Sequence, residues 1–188
     1  SKWITNDFAR DSVHQIRSKC DAVIVGGGTV RADDPLLTSR GKSDPEPLRV
    51  VFSNSLNLPK SAKLWDTKIA KTIIAYGPEA DESFLSDFPD GPEKLRLNSN
   101  DPSELLISLA KKGCNKVLWE CGPLLATSAI KANCVQELVV FIAPKLLGGK
   151  SAMNPLDSFG FESINSTYEL QHSFLEQKGE DLRWRLFL

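Results

Sequence analysis

The stretch Asp21-Ala22-Val23-Ile24-Val25-Gly26-Gly27-Gly28-Thr29 decides the fold. Its Ala-Val-Ile-Val run is short, β-branched and apolar at consecutive positions, the pattern of a strand buried on both faces of a parallel sheet. The glycine triplet predicts a sharp turn out of that strand, with backbone N–H groups exposed. Toward the N-terminus, Ala9, Val13, Ile16 and Cys20 recur at spacings of four, three and four. That period predicts an amphipathic helix over 7–20, capped by Thr5 or Asn6. Toward the C-terminus, residues 48–53 and 72–76 repeat the short apolar run, fenced by Pro45, Pro47 and Pro59 and by Gly77-Pro78. Two more buried strands are expected there.

Residues 81–101 are the most polar and turn-rich stretch and read as a surface crossover. A helix over 102–112 ends at Gly113. A strand over 116–119, a helix over 123–132 and a strand over 136–143 follow, and the handedness rule closes this last unit as a parallel pair. Residues 144–166 read mostly as loop. Alternation at Tyr168, Leu170, His172 and Phe174, and again at Leu182, Trp184, Leu186 and Leu188, predicts an antiparallel hairpin about Lys178-Gly179-Glu180-Asp181. The fold class is therefore α/β: a mixed, mainly parallel twisted sheet with flanking helices and a C-terminal antiparallel hairpin.

A chain of 188 residues with 41% hydrophobic and 25% charged residues fits one globular domain and excludes disordered or fibrous classes. Lys plus Arg number 23 against 24 for Asp plus Glu, a net charge of -1. No global field exists to hold nucleic acid or an anionic membrane, so neither is an expected partner. The cysteines at 20, 114, 121 and 134 form no CxxC pair and lie far in sequence from His14 and His172, so no metal is expected. No apolar run approaches the roughly 20 residues of a membrane span. A soluble protein of a reducing intracellular compartment is expected.

Three stretches carry candidate chemistry. Gly26-Gly27-Gly28-Thr29 stands at a strand end, where it either cradles a phosphate or merely makes a tight turn. It is neither GxGxxG, since Arg31 stands at the third glycine position, nor a Walker loop. Glu120-Cys121-Gly122-Pro123-Leu124-Leu125-Ala126 repeats the strand-to-glycine-to-helix arrangement, with Glu120 at a strand's carboxyl end. If the two strands are parallel neighbours, both turns lie at one sheet edge and suit a phosphate-bearing, cofactor-sized ligand. The third stretch, 29–40, mixes carboxylates, hydroxyls and arginine. Arg40 and Arg17 are candidates to clamp a phosphate bidentately, though Arg17 also fits the solvated side of its helix and Asp33-Asp34-Pro35 also reads as a turn. Trp65, Trp119, Trp184, Cys20, Cys134 and His172 read as structural.

The run Ser1-Lys2-Trp3-Ile4-Thr5, Ala9-Arg10, Val13, Arg17, Asp21-Ala22 and Gly26 to Arg40 resembles the C-terminal reductase domain of the riboflavin biosynthesis deaminase-reductase family. Trp119-Glu120-Cys121-Gly122-Pro123 and Ile142-Ala143-Pro144-Lys145-Leu146-Leu147-Gly148-Gly149 resemble its later motifs. The resemblance implies a dihydrofolate-reductase-like fold and NADPH-dependent reduction of the ribosyl group of 5-amino-6-(5-phosphoribosylamino)uracil to a ribityl chain. It implies that Ser1, Arg17, Leu37, Arg40 and Glu120 contact the phosphorylated ribosylaminopyrimidine, with Glu120 the catalytic candidate. For NADPH it implies Trp3, Thr29, Asp33, Asn54, Gly122, Pro123, Leu124, Leu125, Ala126, Thr127 and Ser128.

Where the family has Asp-Ser after the second strand, this sequence has Ser53-Asn54, at a cofactor ribose or phosphate contact. Residues 1–188 are expected to form a single reductase domain that begins after the family's usual first strand. A homodimer built on the hairpin and the strand before Pro144, a deaminase domain upstream, and a cytoplasmic setting (plastid stroma for a plant source) are also implied. The alternative is a catalytically inactive reductase-like domain serving as scaffold or partner of a deaminase.

Overall fold

A computed structural model describes residues 4–146, 148–149 and 154–188. Among them the chain forms a five-stranded parallel sheet and a separate three-stranded antiparallel sheet. Helix α1 (Asp7–Arg17) leads into strand β1 (Ala22–Gly26), which passes directly into α2 (Gly27–Asp33). Strands β2 (Leu48–Phe52), β3 (Thr72–Tyr76) and β4 (Glu93–Arg96) follow, then α3 (Pro102–Lys111), β5 (Val117–Trp119) and α4 (Pro123–Lys131). Strands β6 (Glu137–Ile142), β7 (His172–Lys178) and β8 (Asp181–Phe187) complete the chain.

The parallel sheet has the order β4-β3-β2-β1-β5. Its middle strands are apolar at successive positions because each face has its own core. Val23 and Val25 join Val51, Ile74, Leu56, Leu64 and Trp65 on one face. Ala22 and Ile24 join Val50, Phe52, Ile73, Leu105 and Leu109 on the other. Burying a Val or Ile fully contributes about 1.5–3 kcal/mol, so this sheet is the main source of stability.

Three expectations are corrected. Residues 81–101 are not only a crossover, because Glu93–Arg96 pairs in parallel with β3 as an edge strand. The first helix stops at Arg17, capped by Ser18, rather than running on to Cys20. The strand after α4 does not close a parallel pair: β6 pairs antiparallel with β8, from Glu137↔Phe187 to Ile142↔Leu182. The hairpin β7–β8 forms as expected, and β8 lies between β6 and β7. The α/β class with its mainly parallel sheet and antiparallel hairpin holds; the antiparallel part is a sheet of its own.

The hairpin turn docks on the start of α1. The Asn6 side chain accepts from the Ala9 N–H at 2.8 Å as helix cap, while its Nδ2 donates to the Lys178 carbonyl at 2.8 Å. The Asn6 backbone N–H donates to buried Asp181 at 2.7 Å. Gly179 has φ of 69°, and a Cβ there would stand 2.9 Å from Asn6 Nδ2, so both conformation and space require glycine.

Candidate functional site

The chain lays β1 to β4 outward in one direction, then returns past β1 to place β5 on its other side. Strand order therefore reverses between β1 and β5, and open α/β sheets bind ligands outside the carboxyl ends of strands at such a switch point. The two glycine motifs are the carboxyl ends of these two strands. The triplet is not a free loop: Gly26 caps α2, and Gly27 and Gly28 are its first residues. At the end of neighbouring β5, Gly122 caps α4, with Pro123 at the first position.

The motifs touch. A Cβ on Gly122 would have Thr29 Oγ1 as nearest neighbour at 3.7 Å, and one on Gly26 would meet the Leu125 side chain at 3.6 Å. The glycine cap of α4 supplies no side-chain hydrogen bond to the first-turn N–H groups, and no side chain among the described residues accepts from them. These groups and the helix dipole suit the phosphates of a dinucleotide, so the residues present fit the implied cofactor.

Glu120 and Arg17, chosen separately from the sequence, form one pair. Arg17 Nε donates to Glu120 Oε2 at 2.8 Å and Nη2 to Oε1 at 2.5 Å, a bidentate charge-assisted contact. Arg17 Nη1 donates to the Thr38 carbonyl at 2.8 Å. The Arg17 side chain is only 11% exposed, and the pair ties the last turn of α1, the loop after α2 and the end of β5 together. His14, one turn earlier on α1, places Nδ1 at 3.3 Å from the same carbonyl. Burial, then the neighbouring Arg17 and Arg40, push His14 below the ordinary histidine value, so the ring is neutral near pH 7.

Arg40 is exposed in a left-handed conformation, φ 58°. Glu46 fixes its loop by accepting from the Ser39 N–H at 2.6 Å and the Gly41 N–H at 2.9 Å. Arg40 then lines a cleft of about 380 Å³ with Arg10, His14, Lys42, Asp7 and Asp11. Asp7 pairs with Arg10 and Asp11 with Lys42, whereas Arg40 has no ion pair among the described residues.

Burial raises the Glu46 pKa, but the hydrogen bonds from Gly41 and Ser39 outweigh it and hold the carboxyl below its ordinary 4.5. The folded state thus binds its proton more weakly than the unfolded chain. The stability Glu46 contributes is present above pH 4.5 and lost as pH falls through the lowered value. Glu46→Gln is expected to remove that acid-limb slope from the thermal midpoint; an unchanged slope between wild type and variant excludes the clamp.

The other predicted residues divide. Thr29 faces Gly122, and Asn54 is exposed just past β2. Asp33 is exposed at the last residue of α2. Leu124 is 73% exposed, and Ala126 and Ser128 are half-buried on α4. Leu37 is 2% exposed within the core with φ of 52°, so only its backbone is offered to a ligand. The Thr127 hydroxyl is taken by Asp157, accepting from its N–H at 2.8 Å, and so tethers a later loop. Ser1, Lys2, Trp3 and Leu147 lie outside the described residues. Sequence reasoning missed His14 and Glu46. The i,i+3 spacing of His14 to Arg17 was the available signal for the first; nothing local marks the second.

Two glycine-capped helices that start at the switch point between β1 and β5, with a bidentate carboxylate–arginine pair beside them, form the arrangement in which open α/β sheets bind ligands. The family model described as the RibD C-terminal domain matches residues 1–183. Riboflavin biosynthesis protein RibD of Synechocystis sp. is 42% identical over 182 residues, covering 96% of this chain and 50% of that protein. Acinetobacter baumannii RibD superposes with a TM-score of 0.82 at 27% identity, over 100% of this chain and 52% of that one. A solved Thermotoga maritima protein, described as a diaminohydroxyphosphoribosylaminopyrimidine deaminase/5-amino-6-(5-phosphoribosylamino)uracil reductase, gives 0.81 at 25% identity, over 100% of this chain and 50% of that one. The chain spans about half the length of these relatives. It belongs to the RibD C-terminal domain family, the reductase domain of the riboflavin biosynthesis deaminase-reductases.

Proposed function

We propose that the chain reduces the ribosyl group of 5-amino-6-(5-phosphoribosylamino)uracil to its ribityl form with NADPH, in sequence with a deaminase activity. Family membership supports the reaction, and one observation supports the site: the Arg17–Glu120 pair stands at the end of β5, beside the switch point between β1 and β5 from which α2 and α4 start. Thr29 and the first turn of α4 hold the dinucleotide, Arg40 holds the substrate phosphate, and Glu120 contacts the rest of the substrate. NADPH, when bound, supplies the hydride. The protein's part is positioning and charge stabilisation. Glu120 accepts hydrogen bonds from the ribose hydroxyls or the pyrimidine, oriented by Arg17. Burial, then the adjoining Glu120 charge, push the Cys121 thiol up to about 12, so it stays protonated and takes no part as a nucleophile.

Arg40→Ala is expected to raise the KM for the phosphorylated substrate about tenfold while kcat stays near wild type, because the phosphate contact is present throughout the reaction. The assay is NADPH oxidation by the purified chain with the pyrimidine substrate. An unchanged KM removes Arg40 from phosphate binding. Absence of turnover by the cooperatively folded wild-type chain, with either dinucleotide, turns the reading to the inactive scaffold.

A further inference from the structure

Arg31 belongs to neither motif, yet its guanidinium lies against the glycine triplet, beside the end of β2. It stands four residues after Gly27 on α2, and helical side chains lean back over the preceding turn. With no side chain at Gly27, the guanidinium folds onto the helix start. A Cβ on Gly27 would stand 3.4 Å from Arg31 Nη1 and 2.9 Å from Ser53 Oγ, and one on Gly28 would stand 4.0 Å from Nη2. One spot therefore collects the guanidinium, the first turn of α2 and the carboxyl end of β2. Nη1 donates to the Asn57 carbonyl at 2.7 Å, which anchors the group. Arg31 is exposed, and no carboxylate among the described residues pairs with it. Its Nε and Nη2 donors are left to a ligand.

The chemistry of this spot discriminates between two dinucleotides. In α/β nucleotide sites, a carboxylate near the end of the second strand takes the 2′-hydroxyl of an unphosphorylated adenosine ribose, whereas an arginine accommodates a 2′-phosphate. Here the second strand ends in uncharged Ser53-Asn54, with Asn54 exposed, and a guanidinium is folded beside it. A dianionic phosphomonoester would meet an anchored cation that no carboxylate among the described residues pairs with. We propose that Arg31 holds the 2′-phosphate of the adenosine ribose and so sets the choice of NADPH over NADH. This rests on the nucleotide reading above and adds to it the residue that selects the cofactor.

The test is binding rather than turnover. Dissociation constants for NADP⁺, NAD⁺ and adenosine 2′,5′-bisphosphate are measured by calorimetry on wild type, Arg31→Leu and Arg31→Lys, each first checked for an unshifted thermal midpoint. In Arg31→Leu the NADP⁺ constant is expected to rise about tenfold or more, the scale of a lost charge-assisted contact, with NAD⁺ changed by less than about twofold. The bisphosphate should weaken with NADP⁺, and Arg31→Lys should recover part of the loss, because the charge stays and the fork goes. Equal weakening of NADP⁺ and NAD⁺ would mean that Arg31 only tethers the Asn57 loop, and an unchanged ratio overturns the proposal equally. Either result leaves the NADPH reading standing if wild type binds NADP⁺. A wild-type chain that binds neither dinucleotide overturns both.

Discussion

Replacing Arg49 by methionine is expected to lower the thermal midpoint by roughly 6–20 °C, the equivalent of about 3–5 kcal/mol in a domain of this length. Arg49 lies in β2 at 0% exposure, a charge inside an otherwise apolar strand. Its Nε donates to Thr72 Oγ1 at 3.0 Å, and Nη2 to the carbonyls of Leu64, Asp66 and Ala70 at 2.9, 2.8 and 2.7 Å. Nη1 reaches the Leu36 carbonyl at 3.4 Å. Every acceptor is neutral; the Thr72 hydroxyl also donates to the Leu64 carbonyl at 2.7 Å and the Ile69 N–H to the Asp66 carbonyl at 3.3 Å. The substitution therefore removes hydrogen bonds to charge rather than every donor, each worth about 1.5–3 kcal/mol. Methionine preserves most of the volume, so the loss measures the guanidinium's hydrogen bonds rather than a cavity. A midpoint within about 2 °C of wild type would show that water replaces the guanidinium and that the loops at 36 and 64–70 close without it.

Glu120→Gln is expected to lower kcat at least about tenfold, or about 1.4 kcal/mol of barrier. The amide keeps the shape of the side chain but offers one acceptor where the Arg17 fork meets two, and it carries no charge. Arg17→Lys removes the fork from the other side. If the pair acts as a unit, the two substitutions together cost little more than either alone, and a double-mutant cycle on kcat measures that coupling. Near-normal turnover of Glu120→Gln takes the residue out of any essential role, whatever happens to the midpoint.

The limits of the sequence are visible at particular residues. Strands β1, β2 and β3 were legible to within a residue because a strand covered on both faces must be apolar at every position. Strand β4 was not: Glu93, Lys94 and Arg96 leave it almost no apolar pattern, and it is held by its backbone ladder to β3. The misplacement of β6 has a different cause. The crossover rule applies to strands of one sheet, and β6 takes as partner a strand more than forty residues further on, a choice no local pattern encodes. In the site, residue types announced Arg17 and Glu120 separately, but their pairing follows from the adjacency of β1 and β5 and the reach of α1. Arg49 stood in plain view as a charge within an apolar run; only the structure supplies the five acceptors that make it a staple.

The docking of the hairpin turn on Asn6 makes α1 a beam supported at both ends. One support is the Lys178–Asp181 turn of the antiparallel sheet, and the other is Glu120 at the edge of the parallel one. Eleven helical residues span about 16 Å, and a hydrogen-bonded helix of that length tilts as one piece. The angle at which Arg17 meets Glu120 is therefore set partly from the far end, by a turn at the opposite end of the helix. The antiparallel sheet is in this sense the mount of the candidate site, and a change at Gly179 or Asp181 would be felt as a misaimed guanidinium.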